Sequence, residues 1–395
     1  MHLSHRILQI RPSATLSINA KAAELKAQGQ EVISLAAGEP DFQPPEHVQQ
    51  AVKDAVDQGY VRYTPVPGLP ELRQAIAETY SRQYSVDISP AMTMATNGGK
   101  QGLYNLFQCL LNPGDEVLIP APYWVSYPDM VSLADGSPVI VPSSPESGFR
   151  LSPEELQSYV TDKTRILVLN TPSNPTGSHY SQAELDKLIS WALQQDIFVI
   201  SDEIYDQLVY PPAEPASAGG WLGRHPESIA LCNGLSKTYA MTGWRMGYVL
   251  THKDLIAKLS TLQGQSTSNV CVLVQKAAVA ALRGPQEFLH DHRQVFQKRR
   301  DLALERISSW PGLECPRPDG AFYLFPRVDA MYTQSIPDST ALCTYFLEKA
   351  QVALVPGAAF GDDRCLRISY ALDDKTLLQA LDRMQTALSA LAGLD

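Results

Sequence analysis

Short aliphatic runs recur between turn residues through the middle of the chain: Glu116-Val-Leu-Ile-Pro, Pro138-Val-Ile-Val, Arg165-Ile-Leu-Val-Leu-Asn, Ile197-Phe-Val-Ile-Ser-Asp and Ser228-Ile-Ala-Leu-Cys. Runs that stay apolar without polar alternation suit strands covered on both faces, as in a parallel sheet. Amphipathic stretches lie between them. In residues 182–194, Leu185, Leu188, Ile189, Ala192 and Leu193 recur at helical spacing. The alternation predicts an α/β fold, a mostly parallel sheet flanked by helices on both faces. Toward the C-terminus the pattern changes. Helical periodicity at 286–308 and 375–392 flanks the strand-like runs Gly320-Ala-Phe-Tyr-Leu-Phe-Pro and Leu366-Arg-Ile-Ser-Tyr, which predicts a smaller α+β unit. Residues 1–45 are too few to bury a core of their own and are assigned to that unit. The expected organisation is a large domain at 46–290 and a small domain made of 1–45 and 291–395.

A length of 395 residues suits two domains rather than one core. The net charge of −10 argues against a nucleic-acid partner, which calls for a basic face. Cysteines stand at 109, 232, 271, 315, 343 and 365, with no Cys-x-x-Cys pair and no Cys/His cluster at zinc spacing. No metal is expected, and the thiols fit a reducing compartment. The apolar run at the N-terminus is short and interrupted for a signal peptide, and no 18 apolar residues run together. The chain reads as cytoplasmic, with no membrane contact.

Candidate chemistry gathers at the ends of the apolar runs, where open α/β sheets bind ligands. Lys237 follows the hydroxyl residue Ser236, and Gly243 and Arg245 come soon after. A lysine amine condenses with an aldehyde, and an arginine fork holds a phosphate, so the segment suits a bound aldehyde phosphate. Asp202 ends its run; it pairs with a pyridinium nitrogen or caps a helix. Tyr205 and Asn174 are hydroxyl and amide donors near two run ends. Gly98 and Gly99 open a helical stretch, which offers amides to a phosphate. Lys100 in the same place is unfavourable to the helix dipole, which an anion nearby would offset, either a cofactor phosphate or a substrate carboxylate. Trp124 offers a flat face for stacking or fills a core. Arg367 is a lone cation in an apolar run, suited to a carboxylate clamp or to an internal salt bridge.

Taken in order, Ala37-Gly-Glu-Pro-Asp-Phe, Tyr63-Thr-Pro-Val-Pro-Gly, Pro122-Tyr-Trp, Asn174-Pro-Thr-Gly, Ser201-Asp-Glu-Ile-Tyr, Ser236-Lys and Gly243-Trp-Arg resemble the class I, fold-type I aminotransferases of pyridoxal phosphate over nearly the whole chain. The resemblance implies that Lys237 bonds the cofactor and moves the proton in the reaction. It pairs Asp202 with the ring nitrogen, sets Tyr205 and Asn174 on the phenolic oxygen and stacks Trp124 on the ring. Arg245 and the amides near Gly99 and Lys100 take the phosphate; Gly38 and Arg367 receive the substrate α-carboxylate. Tyr63 is similar to the tyrosine that reaches the neighbouring subunit's phosphate, which implies a homodimer. One position departs from the pattern. Many members carry a hydroxyl residue three before the lysine, where this chain has Gly234, and Ser236 is the available substitute.

Within the family the chain looks most like prokaryotic-type aspartate aminotransferases, a branch that includes bifunctional aspartate/prephenate enzymes. Lys100 matches that branch's lysine for a distal carboxylate. Thr15 matches a threonine associated with prephenate use, and a helix cap explains it equally. The implied reaction moves the amino group of aspartate or glutamate to 2-oxoglutarate, oxaloacetate or prephenate by a ping-pong route. A lyase of the same fold and an aminotransferase with another donor are the alternatives.

Overall fold

Seven strands form the central sheet in the computed structural model, which describes residues 2–10, 12, 14–310 and 312–391. They are β1 (Thr93–Thr96), β2 (Glu116–Ala121), β3 (Ser137–Pro142), β4 (Thr164–Asn170), β5 (Phe198–Asp202), β6 (Ile229–Gly234) and β7 (Gly247–Leu250), in the order β1-β7-β6-β5-β4-β2-β3. All are parallel except β7, which runs antiparallel to β1 and β6. The five aliphatic runs of the sequence are β2 to β6. The pattern misses β1 and β7 for a physical reason. Each has four residues; β1 is polar at both ends and β7 opens on Gly247.

Alternation along the strands fills two cores. Leu118 of β2, Leu167 and Leu169 of β4 and Val199 of β5 face one; Val117, Ile119, Ile166, Val168 and Ile200 face the other. Helices Pro70–Tyr84, Gln182–Gln194 and Val272–Arg283 close the first face, and helices Gly99–Leu110 and Tyr127–Leu133 the second. The helix at 182–194 begins where its sequence dictates. Ser181 Oγ accepts from the Glu184 amide at 3.3 Å while the Glu184 carboxylate accepts from the Ser181 amide at 2.8 Å, a reciprocal cap.

A third core lies between helices Phe288–Ile307 and Asp374–Leu391, through Phe296, Ile307, Leu377, Leu381 and Met384. The N-terminal segment joins it. Ile33–Ser34 pairs in parallel with Val352–Ala353, and the Leu35 amide donates to the Ala353 carbonyl at 2.9 Å. The strand read at 320–326 is shorter than its sequence suggests. Only Tyr323–Leu324 pairs as a strand, with Ser369 and Ile368, because Gly320 and Arg327 form separate single bridges to other segments. We propose the division near residues 46 and 290 on this packing: Val48 belongs to the first core and Phe296 to the third. Among the described residues no helix is long and apolar enough to cross a membrane.

The sheet reaches its closest packing where β7 abuts the turn before helix Gly99–Leu110. A Cβ added at Gly247 would lie 2.3 Å from the Gly99 nitrogen and 2.4 Å from the Gly98 carbonyl carbon. Gly247→Ala is expected to destabilise the fold by about 1–3 kcal/mol through overpacking. Gly220→Ala, inside helix Gly219–Leu222 with nothing within 4 Å of the added carbon, is the control and should not lower the urea midpoint.

Candidate active site

The carboxyl ends of β4, β5 and β6 face a cavity of about 350 Å³. Thr15, Gly38, Gly99, Lys100, Trp124, Asn174, Asp202, Tyr205, Ser236, Lys237, Arg245 and Arg367 all line it. Tyr63 does not; it is 91 % exposed, outside the cavity. The fold thus brings together residues that lie up to 352 positions apart, from Thr15 to Arg367.

Asp202 ends β5 and opens no helix, so it is not a helix cap. Its Oδ2 accepts from the Tyr127 hydroxyl at 2.6 Å and its Oδ1 from the Ile204 amide at 3.2 Å. Burial pushes this carboxyl up to about 6, against the pull of those two donors and of Lys237. A cation brought to Asp202 would relieve that burial. Asn170, at the end of β4, braces the same corner: its amide donates to the Asp202 carbonyl at 3.0 Å and its Oδ1 accepts from the Asn174 amide at 2.9 Å.

Lys237 follows β6. Its Nζ donates to the Gly38 carbonyl. Burial draws the amine down to about 8; Glu39 opposes the shift, and Arg367 and Arg245 add to it. The position three before it has no room for a side chain. A Cβ on Gly234 would meet the Met246 carbonyl oxygen at 2.8 Å and the Gly247 Cα at 3.0 Å, because β6 and β7 pair there. A side chain at 234 would force that pairing apart, and Ser236 lines the cavity, as do the hydroxyl residues Ser126 and Thr242.

Arg367 is buried in strand Leu366–Ser369. Its Nη1 donates to Asn174 Oδ1 at 2.9 Å and its Nη2 to the Ala36 carbonyl at 2.7 Å, while Nε has no partner. Rings of Tyr323 and Phe360 lie 4.5 and 5.1 Å from the guanidinium carbon. No carboxylate pairs with it among the described residues, so the internal salt bridge is absent. A buried cation with a spare donor is a receptor for an anion. Asn174 spends Oδ1 on Arg367, which leaves its Nδ2 as the donor to offer elsewhere.

Gly98 caps helix Gly99–Leu110 with φ 81°. That φ favours glycine, and a Cβ there would displace the Arg245 Nη2, which lies 2.4 Å from its position. Arg245 is itself held by its Nη1 donating to the Thr242 carbonyl at 2.9 Å. Amides at a helix start beside an arginine make an anion cradle. Lys100 Nζ sits over the Trp124 ring, 4.8 Å from its centre, and burial with the Arg245 charge lowers its pKa.

The family model for aminotransferase class I and II matches residues 30–384. The chain belongs to this family. Among class I and II aminotransferases it is 43 % identical to the aspartate/prephenate aminotransferase of Cereibacter sphaeroides, over 99 % of each chain. It is 42 % identical to the aspartate aminotransferase of Bacillus subtilis, over 98 % of each. Its structure superposes on the Thermus thermophilus aspartate aminotransferase with maleate at a TM-score of 0.93 and 41 % identity, covering 98 % of this chain and 100 % of that one.

Residues of this aminotransferase site that escaped the sequence reading include Tyr127, Asn170 and Tyr323. Tyr323 sits in an apolar stretch, where an aromatic reads as core, and Tyr127 follows a turn with no motif of its own. The signal they carry is the hydroxyl, which needs a partner once buried. Thr15 is the second residue of helix Ala14–Ala27 rather than the residue before it, and it faces the cavity.

Below about 8 Lys237 holds its proton, and above it the neutral nucleophile dominates. Labelling by a small amine reagent, read by mass spectrometry, should rise through pH 8 at Lys237. The folded protein also binds fewer protons here than the unfolded chain between about 8 and 10.5, so this group's contribution to stability rises with pH across that window.

Proposed function

We propose that the chain is a pyridoxal-phosphate-dependent aspartate aminotransferase that also accepts prephenate, and that it works as a homodimer. The carrying observation is the unpaired guanidinium of Arg367 in the same cavity as the buried amine of Lys237. The donor set fits the cofactor. The cradle of Gly99, Lys100, Ser236 and Arg245 suits its phosphate, and Asp202, raised by burial, suits a protonated ring nitrogen. When bound, the cofactor supplies an aldehyde that bonds amines and a ring that withdraws electrons from the adjoining α-carbon.

The chain's own residues supply the rest. Lys237 presents a neutral amine near pH 8 and carries the α-proton on its Nζ between two positions on one face. Asp202, held by Tyr127, would keep the ring nitrogen protonated. Tyr205 and the Nδ2 of Asn174 would donate to the phenolic oxygen, and Trp124 would cover the ring. Arg367 binds the α-carboxylate bidentately, with the main chain at Gly38 beside it. Lys100, lifted toward the cavity over Trp124, meets the second carboxylate of aspartate, glutamate or prephenate; a flexible ammonium suits their varied geometry. Thr15 lines the same cavity, where a larger acceptor would meet it. Tyr63, exposed in a single chain, serves the partner subunit's phosphate.

The order of events is ping-pong, with the donor leaving as its 2-oxo acid before the acceptor binds. The test is the isolated half-reaction. Protein loaded with pyridoxal phosphate and given aspartate alone should release one oxaloacetate per site. After removal of aspartate, 2-oxoglutarate and prephenate should each be aminated. No oxaloacetate would overturn the assignment, and failure with prephenate alone would restrict it to aspartate aminotransfer. Lys100→Met should raise KM for aspartate by about 10- to 100-fold, the loss of a charged hydrogen bond, and leave KM for alanine nearly unchanged.

A further inference from the structure

Tyr323 is fully buried, yet it lines the cavity. It stands opposite Ser369, on the strand next to the one that carries Arg367. Three parts of the site converge on it. Its hydroxyl lies 2.8 Å from the Tyr205 hydroxyl. Its ring lies under the Arg367 guanidinium, 4.5 Å from centre to carbon. A Cβ added at Gly38 would come within 2.9 Å of its hydroxyl, so Tyr323 is pressed against the turn whose carbonyl accepts from Lys237. One side chain from the C-terminal part of the chain therefore touches residues proposed for the cofactor and for the substrate.

Proton counting gives the contact between the two tyrosines a direction. Each phenol hydroxyl has one proton. If Tyr205 donates to an acceptor in the cavity, it has none left for Tyr323, and the proton between the two oxygens must come from Tyr323. Linked hydrogen bonds polarise one another, so a donor behind Tyr205 makes Tyr205 the stronger donor. The guanidinium on the ring face draws density from the phenol and strengthens that donation.

We propose that Tyr323 is a positioning residue with two parts: its hydroxyl donates to Tyr205 and aims the Tyr205 proton at the cofactor's phenolic oxygen, and its ring holds Arg367 flat for a carboxylate. The proposal rests on the pyridoxal-phosphate reading above. It differs from simple packing, because Tyr323→Phe removes the first part and keeps the second.

The experiment loads the wild type, Tyr323→Phe, Tyr205→Phe and the double variant with pyridoxal phosphate and follows the visible absorbance against pH. Donation to the phenolic oxygen stabilises negative charge there and eases loss of the proton from the Lys237 nitrogen, so weaker donation raises the midpoint. Tyr323→Phe should raise it by about half a pH unit. Tyr205→Phe should raise it further, and the double variant should match Tyr205→Phe, because the relay ends at Tyr205. An unchanged midpoint in Tyr323→Phe, or a full additional shift in the double variant, would overturn the relay. Maleate affinity tests the ring: it should be nearly unchanged in Tyr323→Phe and fall several-fold in Tyr323→Leu. Equal affinity in Tyr323→Leu and the wild type would overturn the ring's role. A wild type with no titrating visible band would instead overturn the cofactor reading, and this proposal with it.

Discussion

A buried guanidinium without a carboxylate partner is the constraint around which the site is arranged. Arg367 is 2 % exposed, and removing a cation from water costs several kcal/mol unless hydrogen bonds and opposite charge offset it. The chain offsets part of that cost with the Ala36 carbonyl, the Asn174 amide oxygen and two aromatic faces. Each of these fixes something else. Ala36 leads into the turn at Gly38, Asn174 is thereby oriented, and Tyr323 is placed against Tyr205. The charge also acts at a distance, helping to hold the Lys237 amine below its ordinary range.

The sheet explains why these groups meet. Parallel strands deliver their carboxyl ends to one side, and β5 places alternate side chains in opposite environments. Asp202 turns into the cavity. Glu203 turns away and accepts from Ser201 Oγ at 2.8 Å, Ser217 Oγ at 2.6 Å and the Ala218 amide at 2.8 Å. Burial lifts this carboxyl to about 8, against the pull of those three donors. The segment after β5 is tied down by that network, which gives Asp202 and Tyr205 a fixed base.

Much of this was legible in the chain. The aliphatic runs of β2 to β6 specify the sheet, since no polar alternation interrupts them, and the residues at their ends carry the chemistry. The helix at 182–194 shows in both its apolar face and its Ser181 cap. What escaped did so for identifiable reasons. β1 and β7 are too short and too glycine-rich or polar to stand out. Tyr127 and Tyr323 look like core because most of each side chain is core. The absence of a hydroxyl at 234 became intelligible only with the close pairing of Gly234 and Gly247, a contact between segments that periodicity does not report.

The most direct test of the central claim is the calorimetric affinity of maleate, a dicarboxylate with no amino group to transfer, for cofactor-loaded wild type and Arg367→Met. If the guanidinium is the carboxylate receptor, the variant should load the cofactor and bind maleate at least about 100-fold more weakly, as expected when a buried charge pair loses one member. Equal affinity in the two proteins would contradict the account and place the carboxylate elsewhere in the cavity.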